Sequence, residues 1–218
     1  MKTIAIVNPK GGSGKSTLST QIAGYLASQG HKVMLGDADN QQSSKYWLSQ
    51  RPKSLPLIQT WDHQADLVIS ARPPAEITHV VIDTPGALDG WRLKEVISRA
   101  DLVIVPILPS AFDVQATKAF LTTLSNLTKD KDKDKDKEQS KHTRVAVIGN
   151  RIDARTLSAD KLKSFLVSLD IPVIGYLRDT QYYLHMVEHG LSMFDISPSK
   201  IEKDLVQWRS ICAHLDQL

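Results

Sequence analysis
The chain has 218 residues, 41% of them apolar and 23% charged, the balance of an ordinary globular protein long enough to bury one sizeable core. Lys and Arg number 27 against 24 Asp and Glu, a net charge of +3, so a nucleic-acid partner is permitted only if the basic groups gather on one face. A single cysteine, Cys212, rules out an internal disulfide framework or a thiolate metal cluster within one chain, no run of 18 apolar residues marks a membrane span, and the opening segment enters a strand rather than a signal peptide.

In chain order, Thr3 to Val7 is a short apolar run suited to a buried parallel strand, and the loop Asn8 to Gly14 follows it. Helical periodicity runs from Lys15 to about Gln29, with Leu18, Ile22 and Leu26 on one face and Gly30 as the stop. Strands are expected at His31 to Gly36, Leu57 to Thr60 and Thr78 to Ile82, the last closed by Asp83. A helix over about 90–99, a strand at Leu102 to Val105, a helix from Asp113 to about Leu127 and a strand at Val145 to Ile148 come next, then helices at 158–168, 180–189 and 200–216. The alternation predicts one α/β domain over 1–218, a mostly parallel twisted sheet with helices on both faces. Residues 129–138 alternate Lys and Asp before Glu138 and read as a solvated loop inserted between helix and strand.

The strongest motif is Lys10-Gly11-Gly12-Ser13-Gly14-Lys15-Ser16-Thr17, set between a strand and a helix. Glycines let successive N–H groups turn inward onto phosphate oxygens, and the helix N-terminus adds the positive end of its dipole. Lys15 supplies a charge to the β- and γ-phosphates, and the Ser16 hydroxyl is placed to ligate Mg²⁺. Pro9 stands where the standard loop has glycine. Asp83, leaving a buried strand, is a candidate for the magnesium shell, directly or through a bound water. Asp37 and Asp39, after the second strand, reach the same sheet edge; Asp37 is a further metal candidate, and Asp39 could orient the water that attacks the γ-phosphate.

Together these segments resemble the ParA/MinD-type ATPases with a deviant Walker A box, whose extra signature lysine matches Lys10. Asp37-Ala-Asp39-Asn-Gln41 is similar to the family's DxDPQ segment, with Asn40 in place of its proline; Asp83-Thr-Pro-Gly86 is similar to its Walker B end; and Val105 to Asp113 is similar to its proline–serine strand and turn. The resemblance implies ATP with Mg²⁺ as cofactors, an ATP-dependent homodimer in which Lys10 reaches the partner's phosphates, and Asn150 against adenine. It further implies slow hydrolysis stimulated by an adaptor of ParB type, nonspecific DNA binding, and a cytoplasmic, nucleoid-associated protein. On that reading a plasmid or chromosome is the first expected cargo. A protein cargo such as a microcompartment or chemoreceptor cluster is the second. A MinD-like membrane regulator and a metabolic P-loop synthetase are readings of other classes.

Candidate DNA contacts are Arg151, Arg155, Lys161, Lys163, Arg178, Lys200, Lys203 and Arg209. In the last helix Leu205, Trp208, Cys212 and Leu215 form a stripe read as core-facing rather than lipid-facing, and its polar side is too acidic for a membrane anchor. Trp47, Trp61 and Trp91 are read mainly as packing residues. The seven histidines carry no expectation of a zinc site.

Overall fold
A computed structural model describes residues 1–61, 72–133 and 142–218. Among them seven strands form one sheet, with every neighbouring pair parallel. They are β1 (Lys2–Ile6), β2 (Val33–Asp37), β3 (Ile58–Gln59), β4 (His79–Asp83), β5 (Leu102–Ile107), β6 (Arg144–Ile152) and β7 (Val173–Arg178). The spatial order is β3-β2-β4-β1-β5-β6-β7. Helices α1 (Lys15–Ser28), α2 (Ser43–Gln50), α3 (Gly90–Arg99), α4 (Ala111–Lys133), α5 (Leu157–Val167), α6 (Tyr182–Glu188) and α7 (Pro198–Leu215) connect or follow the strands.

Strand side chains alternate between two cores, as period two requires. Ala5, Val80, Val103 and Val147 face α3, α4 and α5, while Ile4, Ile6, Leu35, Ile104 and Ile148 face α1, α2, α6 and α7. A sheet covered on both faces explains why its strands read as nearly continuous apolar runs. Trp208 and Leu215 of α7 are fully buried in the second core with Leu205 and Cys212 packed beside them, so the stripe faces protein. Trp47 and Trp61 are buried, whereas Trp91 is 65% exposed. No described helix is long and apolar enough to cross a membrane.

Two elements escaped the sequence reading, α2 and β7. The loop expected at 129–138 is also corrected: α4 continues to Lys133, and 134–138 lie outside the described residues. Once a helix is nucleated on a packed face, each added residue gains a hydrogen bond, and lysine is a good helix former, so composition alone does not stop it.

The segments that follow α2 and α6 are locked together. Arg51, just past α2, forms a buried two-pronged ion pair with Asp195, with Nη1–Oδ2 2.8 Å and Nη2–Oδ1 3.0 Å, and Nη1 also donates to the Gly190 carbonyl at 3.1 Å. Gly190 sits at φ 62°, and a Cβ there would run into the Gln50–Arg51 backbone. Gly190→Ala is expected to lower the unfolding free energy by roughly 2–4 kcal/mol in urea denaturation. A variant as stable as the parent would show that this junction is not a constraint.

Candidate nucleotide and metal site
The site is assembled by strand register. Ile6 pairs with Asp83, and Asp83 pairs with Asp37, so β1, β4 and β2 end level with one another. The glycine loop leaves β1 at that level, between two carboxylates and the start of α1. Asn8 ties this loop down: its Nδ2 donates to the Pro106 carbonyl at 2.6 Å, and its Oδ1 accepts from the Lys10 amide at 2.7 Å.

Gly12 and Gly14 have φ of 73° and 92°, a region other residues seldom enter. Gly14 is the N-cap of α1, which has no side-chain cap and no acid in its first turn. The helix start therefore keeps its amide donors for an anion. Lys15 is buried, and its Nζ donates to the Lys10 carbonyl at 3.0 Å. Burial lowers its pKa, opposed by the charges of Asp83 and Asp39.

Asp83 is fully buried. One oxygen, Oδ2, accepts from the Ser44 hydroxyl at 2.6 Å, while Oδ1 has no well-formed hydrogen bond among the described residues. Burial pushes this carboxyl up to about 7, against the lowering effects of the Ser44 and Ser16 hydroxyls and of Lys15. A buried carboxylate oxygen without a donor, beside the Ser16 hydroxyl, has the chemistry of a divalent-cation shell: hard oxygens for a hard cation.

Asp37 is held differently. Its Oδ2 accepts from the Ser44 and Lys45 amides at 2.8 and 3.0 Å, and its Oδ1 from the Asp39 amide at 3.0 Å. It thus satisfies the start of α2 and has fewer lone pairs to offer a metal. Ser44 bridges the acids, amide to Asp37 and hydroxyl to Asp83. Neither α2 nor the role of Ser44 is marked by a local sequence signal, since Ser43 and Ser44 read alike.

A cleft of about 600 Å³ opens over these groups and is lined by Gly11, Gly12, Gly14, Lys15, Ser16, Thr17, Asp39 and Asn150. Its far wall, with Arg151, Asp179, Thr180, Gln181 and Tyr183, comes from the ends of β6 and β7 and the start of α6. Of this wall, sequence reasoning assigns Asn150 to the nucleotide and Arg151 to DNA, and Gln181 and Tyr183 fall in the helix expected over 180–189; Asp179 follows β7, which it missed. The run Val173-Ile174-Gly175-Tyr176-Leu177, bounded by Pro172, was its available signal. Asn150 is buried, and its Nδ2 donates to the Ser13 carbonyl at 2.9 Å, bracing the glycine loop from this wall. Ser13 is likewise buried, its hydroxyl 3.2 Å from the Lys10 carbonyl. The Lys10 side chain does not line the cleft and has no hydrogen bond or ion pair among the described residues.

Three of the candidate DNA contacts are already paired with acids. Arg151 meets Asp179 at 3.3 Å, Arg155 meets Asp153 at 2.8 Å, and Arg178 makes a two-pronged pair with the buried Asp204 at 2.6 and 2.9 Å. Of these three, only Arg178 is held on a buried carboxylate; the pairs of Arg151 and Arg155 are solvent-exposed and leave those side chains open to other anions.

Residues 4–192 match the family described as the CobQ/CobB/MinD/ParA nucleotide binding domain. The maintenance of carboxysome distribution protein A of Halothiobacillus neapolitanus is 27% identical over 89% of this chain and 87% of its own length. Protein ParA of Rhizobium radiobacter is 26% identical over 52% of this chain and 51% of its own length. The structure of the septum site-determining protein MinD of Pyrococcus horikoshii OT3, complexed with Mg-ADP, superposes with a TM-score of 0.72 at 15% identity, covering 99% of this chain and 96% of that one.

The Asp83 environment sets a pH test. From the ordinary carboxyl value of 3.8 up to about 7 the folded chain holds a proton that the unfolded chain has released, so ligand-free stability falls as pH rises through that window. Asp83→Asn is expected to be about 1–3 kcal/mol more stable than the parent at pH 8 without ligand, and to lose the stabilisation that Mg²⁺ with nucleotide confers. Melting curves at pH 5 and pH 8, with and without Mg-ATP, read both effects. Unchanged ligand stabilisation would remove Asp83 from the metal shell.

Proposed function
The chain belongs to the CobQ/CobB/MinD/ParA nucleotide-binding family, and from that premise we propose that it is a ParA-like ATPase that positions a cargo through a cycle of ATP binding and hydrolysis. The observation that carries this reading is the division of labour between two lysines of one loop. Lys15 is buried at the cleft floor, and Lys10 stands outside the cleft with its ammonium uncommitted among the described residues.

In this reading the amides of residues 11–17 and Lys15 would bind the phosphates. Ser16 and Asp83 would hold Mg²⁺, which would supply charge neutralisation of the phosphates, and Asp37 holds Ser44 and the start of α2 beside Asp83. Asp39, at the cleft rim, orients the attacking water. Asn150 braces the loop and faces the adenine. Lys10 acts on the nucleotide of a second copy, giving an ATP-dependent homodimer closed over the cleft. Trp91 and Phe112, 65% and 76% exposed at the first turns of α3 and α4, lie at the same sheet edge and offer apolar contact to that copy.

The matrix is nonspecific DNA, so the protein is cytoplasmic and nucleoid-associated, and an adaptor of ParB type or its cargo-linked equivalent stimulates hydrolysis. Lys200, Lys203 and Arg209 of α7, Lys161 and Lys163 of α5, and Arg151 and Arg155, whose acid pairs are solvent-exposed, are the basic groups open to phosphates. For the cargo, the relative matched along most of its length is a carboxysome-distribution protein, which favours a protein assembly. Plasmid or chromosome partition is the second reading, supported by the ParA relative over half the chain.

Lys10→Ala is expected to lower ATP-dependent dimerisation, read by light scattering, and to slow hydrolysis at least tenfold. Asp39→Ala should bind ATP within about threefold of the parent while hydrolysing roughly a hundredfold more slowly, so that the dimer persists. A gel shift on random-sequence duplex at stated salt is expected to show retardation with ATP and none with ADP or without nucleotide. Dimerisation indifferent to Lys10, or no retardation in any state, would contradict the proposal.

A further inference from the structure
Helix α6 has two functional sides. Gln181, Tyr183 and Leu184 at its start line the cleft, and Met186 is buried in the core. Its outer side carries His185, Glu188 and His189, all exposed, with one possible ligand atom of each lying within 4.8 Å of the others. The segment His185-Met186-Val187-Glu188-His189 places two imidazoles four residues apart, hence on one face, with a carboxylate between them. That spacing is present in the sequence, although the histidines were read as offering no zinc site.

A second observation concerns the tautomer. His189 Nδ1 lies 2.8 Å from the His185 carbonyl oxygen. A carbonyl only accepts, so Nδ1 carries the proton and Nε2 keeps its lone pair. Metal-bound histidines are commonly held in this way, one nitrogen donating to a backbone carbonyl and the other left for the metal. The two rings lie side by side with centroids 4.4 Å apart.

We propose that α6 carries a surface site for a divalent transition metal of the zinc, copper or nickel class, held by His185, Glu188 and His189. Two imidazoles and one carboxylate suit these ions, whereas magnesium and calcium select all-oxygen shells. The site is therefore chemically distinct from the oxygen groups at the cleft floor. Three protein ligands on an exposed turn leave the remaining positions to water, so binding is reversible. The metal clamps the last turn of a helix only seven residues long, just before Gly190 reverses the chain at φ 62°. The clamp stiffens the element whose first turn forms the cleft wall.

The test uses the untagged full chain, titrated with Zn²⁺ against a chromophoric chelator and with Co²⁺ by visible absorption. One equivalent of metal is expected per chain, with binding weakening as pH falls because protons compete with the metal for the imidazole nitrogens. His185→Ala and His189→Ala should each weaken Zn²⁺ binding at least tenfold, and Glu188→Gln less, with circular dichroism unchanged because all three side chains are exposed. The competing pair is His31 and His79, whose rings lie 4.1 Å apart at the opposite edge of the sheet. Zn²⁺ binding that survives intact in the double variant H185A/H189A, or no stoichiometric binding by the parent, would overturn the proposal.

Discussion
A carboxylate kept inside the edge of a parallel sheet organises this molecule. Asp83 is fully buried, has one hydroxyl donor and leaves its second oxygen without a well-formed bond. Such a group opposes folding unless something else at the site needs its charge. Its neighbours fit that need: Lys15 within its field, Ser16 beside it and an uncapped helix start directed at the same space. Stability is given up where binding is gained, so the cleft is less settled when empty than when filled.

The parallel sheet makes this concentration possible. Because all strands run one way, every loop that follows a strand emerges at the same edge. β1, β2 and β4 deliver the glycine loop, Asp37, Asp39 and Asp83, and β6 and β7 deliver the opposite wall. Two buried junctions hold the walls at a fixed separation: Asn150 on the Ser13 carbonyl, and Arg51 on Asp195 with Gly190 beneath it. The helices on one face carry both the cleft wall and, on the outside of α6, the histidine cluster, so events on that surface and events in the cleft share a short rigid element.

Much of the fold was legible because its strands are buried on both faces. Thr3 to Val7 and Leu102 to Val105 stand out as apolar runs, and α3 is clearly two-sided, with Leu93, Val96 and Ile97 buried. The phosphate loop was legible because its glycines and Lys15 have no common structural alternative in that order. β7 was overlooked although its apolar residues follow Pro172, and with it went Asp179, which follows its end on the far wall. Ser44 acts through two bonds made possible only by tertiary placement, which no spacing rule reports. The arginines nominated for DNA could not be told from those paired with Asp153, Asp179 and Asp204, because partners distant in sequence, such as Asp179 and Asp204, become neighbours only after folding. The extension of α4 to Lys133 reflects helix propagation from a packed segment, which composition does not encode.

A nucleotide site over Asp83 and Lys15 that is completed by a divalent cation should reveal itself in calorimetric titration of the parent chain with ATP, once with Mg²⁺ and once with the cation chelated. One ATP per chain is expected with Mg²⁺, and an affinity at least tenfold lower without it. No binding, or binding indifferent to the cation, would contradict such a site.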